Sequence, residues 1–90
     1  HPGEVLLKKF LEPNNISSYF LSKEIGVPAN RTREITEGQR SITPDTAIRL
    51  SKFFGNAPTF WLELQNKFDL SILEKKNQKI YLKINKFKKK

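Results

Sequence analysis

Ninety residues and 10.5 kDa make one small domain with no length for a second, and 37% apolar residues is lean beside the roughly 45–50% of globular chains counted with Gly. Lys and Arg number 17 against 9 Asp and Glu, a net charge of +8, with no Cys and a single His at position 1, which excludes disulfides, thiolate zinc and cysteine nucleophiles and argues against a His-rich metal site or a Ser-His-Asp triad. No apolar run approaches the roughly 20 residues that span a bilayer, and nothing resembles a secretory signal. A soluble cytoplasmic protein with no membrane partner is therefore expected. The sequence opens at His1 rather than Met, as expected of a chain lacking a short native N-terminus.

In chain order, Pro2 and Gly3 precede Glu4, which suits the positive end of a first helix. Val5, Leu6, Leu7, Phe10 and Leu11 recur at i+4 and i+5 and give that helix one apolar face. Glu12-Pro13 ends it, because a residue before Pro disfavours the α region. Ser17 is a good N-cap for a second helix with Phe20, Leu21 and Ile25 on its inner face, and Gly26 stops it. Pro28 stands at or near the first turn of a third helix running through Ile35 to Gly38. Thr43 caps a fourth, with Pro44 at N1 and Asp45 in the first turn; Ala47, Ile48, Leu50, Ser51 and Phe54 run at helical spacing, and Gly55 closes it. Pro58 opens a fifth, with Phe60, Trp61, Leu64 and Phe68 at i, i+1, i+4 and i+8. Five short helices joined by short connections predict an all-α domain.

The charge is uneven. Residues 1–70 hold nine basic and eight acidic groups, net +1, whereas residues 71–90 hold eight Lys and one Glu, net +7. Basicity is a property of the tail, so the body must be judged by where its few charges sit. The tail is ambiguous in structure: Ile80 to Asn85 partly alternates like a strand, yet Leu73, Ile80, Ile84 and Phe87 also share a helical face. The closing Lys88, Lys89 and Lys90 are expected to be disordered. The division expected is a domain over residues 1–73 and a basic extension over 74–90.

Residues 17–38 read as helix, tight turn, helix. Ser22 puts a small side chain where two steeply crossing helices touch, and Gly26 stands at the bend. The outward row of the third helix is then Ala29, Asn30, Arg31, Arg33, Glu34 and Glu37. In a helix-turn-helix such a row enters the major groove, where Asn pairs bidentately with adenine and Arg with guanine. By spacing alone, the same segment fits a helical pair in a simple three-helix core with a solvated polar face.

Longer motifs decide further. Residues 1–4 (His-Pro-Gly-Glu), the Gly26-Val27-Pro28 turn, Gly38-Gln39-Arg40-Ser41-Ile42-Thr43-Pro44-Asp45-Thr46-Ala47, Phe53-Phe54-Gly55 and Pro58-Thr59-Phe60-Trp61-Leu62-Glu63-Leu64-Gln65 resemble the HigA antitoxin family. That family is a branch of the phage-repressor-like (XRE) helix-turn-helix group. The resemblance covers roughly residues 1–73 and fades before the tail. It implies a five-helix, phage-repressor-like domain and a homodimer. It also implies binding to double-stranded operator DNA of its own operon and neutralisation of a HigB-type toxin, a RelE-type mRNA endonuclease. By position, the implied base contacts are Ala29, Asn30, Arg31, Arg33 and Glu34. The implied phosphate contacts are Ser17, Ser18, Lys23, Gln39, Arg40, Ser41 and Thr43, and free N–H groups at helix starts support Ser17, Ser18 and Thr43 physically. One departure is Thr32, where the group usually carries an aliphatic residue packing under the recognition helix.

Plainer readings stand beside these. Arg40 can pair with Glu37 on the surface, a contact of little energetic weight. Trp61 with Phe60 and Phe68 suits a core or a dimer contact better than a ligand cage; the Trp61, Leu64 and Phe68 face is the expected dimer interface. Glu34 and Glu37 have no His, Asp or Cys nearby to complete a hydrolytic or metal site, and His1 reads as a cap or surface residue. No catalytic residue, metal or cofactor is expected, so the chain is not read as an enzyme. Ile80 to Ile84 are read as part of a toxin or dimer surface, and the final lysines as a phosphate-affinity element or a solvated end. The sequence thus predicts an antitoxin and transcriptional autorepressor. Alternatives are a stand-alone regulator of the same group and a nuclease-inhibiting module that does not read DNA. An RNA-binding protein using Tyr81 and the Lys tail is less favoured, for want of an aromatic platform.

Overall fold

The computed structural model describes residues 1–88; Lys89 and Lys90 of the expected disordered run lie outside the described residues. Every regular element among the described residues is helical. The first helix, α1, begins at Pro2, with His1 as its N-cap: His1 Nδ1 accepts from Gly3 N at 2.9 Å. Residues Pro2–Val5 are α-helical, and Leu6–Leu11 continue as a π-helix. The wider turn explains the apolar spacing. Positions five apart on an α-helix sit about 140° apart around the axis, but the i→i+5 turn brings Leu6 and Leu11 to the same side. Both are fully buried. The helix ends at Glu12-Pro13, as expected, in a turn over residues 12–15.

The second helix, α2 (Ser18–Ile25), is capped by Ser17, whose Oγ accepts from Phe20 N at 3.0 Å. It stops at Gly26 in the left-handed conformation (φ 73°), which Gly adopts without a Cβ penalty. Its inner face is Leu21, Ser22 and Ile25, not Phe20, which is half exposed. Phe20 stands one residue from Leu21, about 100° around the helix, and that rotation carries it off the core.

The third helix, α3, spans only Arg31–Thr36, shorter than expected. Pro28 is not its first residue. The Pro28 carbonyl instead accepts from Arg31 N at 2.9 Å, and Asn30 (φ −94°, ψ 0°) lies outside helical geometry. Thr43 and Gly55 cap α4 (Pro44–Phe54) as read from sequence, Thr43 Oγ1 accepting from Thr46 N at 3.3 Å.

The fifth helix, α5 (Pro58–Lys76), is 19 residues long rather than short, and a sixth, α6 (Gln78–Leu82), follows. The tail therefore takes the helical of its two readings over Gln78–Leu82. Leu6, Leu11, Leu21, Ile25, Ile35, Ile42, Ala47, Leu50 and Trp61 form the core. The first half of α5 packs on it through Trp61 and Gln65; the second half leaves Leu70, Ile72 and Leu73 exposed.

Two contacts fix the frame around α3. Gly3 of α1 abuts the C-terminal end of α3 so closely that a Cβ there would overlap the Ile35 carbonyl and lie 2.9 Å from Thr36 Cα. On α5, Gln65 is buried: its Oε1 accepts from Ile42 N at 2.8 Å, and its Nε2 donates to Asp69 Oδ1 at 3.0 Å. The loop beyond α3 is thereby tied to the core through a backbone donor that otherwise would be buried unpaired.

Candidate nucleic-acid interface

The pair α2 and α3 meets at Ser22 and Thr32, both fully buried. Ser22 Oγ accepts from Thr32 N at 3.1 Å and donates to Thr32 Oγ1 at 2.7 Å. A small side chain at this crossing was legible; that it is also a hydrogen-bonding group was not. Gly26 turns the chain, with Val27 N bonded to Ser22 O at 3.0 Å. Arg49 of α4 holds the same turn. Its Nη1 donates to Ile25 O at 2.8 Å and lies 3.4 Å from Gly26 O, while its Nε donates to Asp45 Oδ2 at 2.8 Å. Arg49 and Gln65 both escaped sequence reasoning. Their only signals are an Asp–Arg pair four residues apart and a polar residue four positions after Trp61 on the inner stripe.

This scaffold leaves the start of α3 outward. Ala29 and Asn30 are exposed in the turn, Arg33 is exposed on the helix, and Arg31 and Glu34 are half-buried. Arg31 Nε is buried without a hydrogen-bond partner among the described residues. The acids of this face are engaged: Arg33 Nη1 lies 3.3 Å from Glu37 Oε1, and Arg40 Nε donates to Glu34 Oε1 at 3.0 Å. Arg40 therefore pairs with Glu34, not with Glu37. Glu37 is already taken by Arg33 four residues earlier on the same helix face, whereas the turn at Gly38 (φ 77°) brings Arg40 back beside Glu34.

The expected phosphate contacts fall into two groups flanking α3 in sequence. Ser17 is exposed and Ser18 half-buried at the start of α2, with Lys23 exposed further along and its amine 5.4 Å from the centroid of the Tyr19 ring. Gln39, Arg40, Ser41 and Thr43 are all exposed on the loop leading to α4, whose one buried side chain, Ile42, anchors it to the core.

The three residues expected at a dimer contact are not alike. Trp61 has no accessible surface; it packs against Phe10, Phe54 and Phe60 and donates Nε1–H to Asn56 Oδ1 at 3.2 Å. Burial in the protomer leaves it nothing to present to a second copy, and it supports α5 from within. Leu64 and Phe68 are half-buried and line a shallow depression with Pro2, Val5 and Lys67. Among the described residues there is no group of three or more His, Cys, Asp or Glu placed to hold a metal, and no helix is long and apolar enough to cross a membrane.

Comparison with known proteins agrees with this geometry. A helix-turn-helix family matches residues 7–62. Virulence-associated protein I of Dichelobacter nodosus is 41% identical over 80 residues, 89% of this chain and 74% of that protein. An addiction module antidote protein of the HigA family from Coxiella burnetii superposes with a TM-score of 0.88 at 42% identity, covering 97% of this chain and 96% of that one. The Pseudomonas aeruginosa antitoxin HigA, solved with the higBA promoter, superposes with a TM-score of 0.91 at 34% identity over 98% of this chain and 97% of its own. On these grounds the chain belongs to the HigA antitoxin family of helix-turn-helix proteins.

Proposed function

We propose that this protein is an antitoxin that represses its own operon. Two copies place their α3 helices in successive major grooves, about one helical turn apart, on a palindromic operator. Asn30, Arg31 and Arg33, with Ala29 and Glu34 beside them, read base edges. Ser17, Ser18, Lys23, Gln39, Arg40, Ser41 and Thr43 hold phosphates and fix the register. The observation that carries this reading is the exposed polar start of α3 standing on a scaffold clamped by Arg49 and Gln65. The likeness to an antitoxin solved with promoter DNA supports it. Repression follows from occupying the promoter.

The two copies meet along α5 through Leu64 and Phe68. The exposed aliphatic residues Ile80 and Ile84 belong to a further protein contact, with the toxin as partner; membership of an antitoxin family supports that assignment. Neutralisation works by covering the RNA-binding surface of a HigB-type endonuclease, and this chain performs no catalysis.

Fluorescence anisotropy on the protein's own promoter and on a scrambled duplex, at physiological salt, tests the DNA part. The expected preference is about a thousandfold, the low end for specific binders. Equal weak binding to both duplexes would sink the repressor reading for the free protein.

A further inference from the structure

We infer that Ser22 is a positioning residue for DNA reading, acting as the N-terminal cap of α3 from a different helix. The inference rests on the reading of α3 as the base-reading helix. A helix start exposes N–H groups that need acceptors. In α3 the residue in the N-cap position, Asn30, makes no side-chain capping bond. Arg31 N is taken by the Pro28 carbonyl, and Thr32 N is taken by Ser22 Oγ at 3.1 Å. The same hydroxyl donates to Thr32 Oγ1 at 2.7 Å. Ser22 thus uses both an acceptor and its one donor on a single residue of α3, in a site sealed from solvent.

Three features make this pair a latch rather than incidental packing. The helix it holds has six residues, too few to be stable without docking. A buried hydroxyl costs free energy unless it is bonded, so each member of the pair needs the other in place. Hydrogen bonds also have narrow distance and angle limits, whereas apolar contact tolerates sliding. An aliphatic side chain at position 32 would bury α3 against α2 but leave its rotation and depth looser. Thr32 is flanked by Arg31 and Arg33, so a small rotation of α3 displaces both guanidinium groups. Arg49 fixes the turn but makes no hydrogen bond to α3 itself, which leaves the start of the helix to Ser22.

The test separates the hydroxyls from packing. In the full-length protein, Thr32→Val keeps the volume and removes the Oγ1 acceptor, whereas Thr32→Ser keeps the acceptor and removes a buried methyl. Affinity is measured on the promoter duplex and on the scrambled duplex, alongside the melting temperature. Ser22→Ala should lower the promoter-to-scrambled ratio by about tenfold, and Thr32→Val should lower it in the same direction. Thr32→Ser should keep the ratio near that of the parent even where it melts lower. Amide exchange at Thr32 should quicken by about tenfold in Ser22→Ala while Leu50 in the core keeps its protection. If Ser22→Ala does not fold, the two Thr32 variants decide alone.

A ratio that follows melting temperature instead of the hydroxyl, with Thr32→Ser losing as much as Thr32→Val, overturns the latch. Asn30→Ala serves as the control. If Asn30→Ala lowers the ratio and neither Ser22→Ala nor Thr32→Val does, the latch fails and α3 still reads bases. If none of the three changes it, the base-reading role of α3 fails and the positioning role of Ser22 falls with it.

Discussion

Arg33 and Arg40 each face a carboxylate on the protein's own surface, Glu37 and Glu34 respectively. Exposed pairs of this kind contribute about 0–1 kcal/mol, so a phosphate or a guanine edge can recruit either guanidinium at small cost. The roles proposed for Arg40 and Asn30 differ with position. Arg40 stands on the loop beyond α3 and Asn30 in the turn before it. Arg40→Ala should therefore weaken promoter and scrambled duplexes alike and reduce the salt slope by about 1. Asn30→Ala should relax sequence preference, costing about 1–3 kcal/mol on the promoter and little on the scrambled duplex. Anisotropy titrations on both duplexes check the pair; an unchanged ratio for Asn30→Ala would remove it from the base contacts. The capping side chains Ser17 and Thr43, which bond within three residues, were legible from type and spacing. Arg49 and Gln65 were not, because their partners, Ile25 O and Ile42 N, lie 24 and 23 residues away and are backbone atoms that every sequence contains.

At the scale of elements, the crossing of α1 and α3 depends on Gly3. Two effects of Gly3→Ala oppose each other. Ala is the better helix former by up to about 1 kcal/mol. Its methyl, however, would overlap the Ile35 carbonyl, a backbone group that no rotamer change can move aside. Overpacking of a tight contact costs about 1–3 kcal/mol, so the net effect should be destabilising. The urea midpoint should fall with little change in slope; a rise would show that α1 shifts freely over α3. Helix ends were legible wherever a cap is built from local residues, as at Ser17, Gly26, Thr43 and Gly55. The start of α3 was misplaced because its cap comes from Ser22 on another helix, so Pro28 offered the nearer signal. The π turn at Leu6–Leu11 left a trace in the i+5 spacing, but only packing shows why both leucines point inward. The length of α5 was hidden for a related reason: beyond Phe68 it no longer faces the core, and no inward stripe marks it.

For the whole molecule, charge and fold are divided between different parts of the chain. The core lies within residues 1–65, yet residues 71–90 carry +7 of the net +8. Specific contacts and bulk electrostatic attraction can therefore be separated by cutting the chain. Removing residues 79–90 takes away Lys79, Lys83, Lys86, Lys88, Lys89 and Lys90 together with most of α6, and none of the core residues. Each phosphate neutralised by a lysine contributes about 0.9 to the slope of log affinity against log salt. If the tail touches DNA, the truncated protein should lose affinity for promoter and scrambled duplexes together, and its slope should flatten by at least about 1. The ratio between the duplexes should hold, because phosphate contacts carry no sequence information. If Ile80 and Ile84 make the proposed toxin contact, the same cut should weaken toxin binding at low salt and also at high salt, because burial of aliphatic surface persists there while charge attraction is screened. Titrations across a salt series with each partner resolve the two roles. An unchanged DNA slope would assign the lysines to solvent, and a toxin affinity unaffected by the cut would move the protein contact onto the second half of α5, where Leu70, Ile72 and Leu73 are exposed.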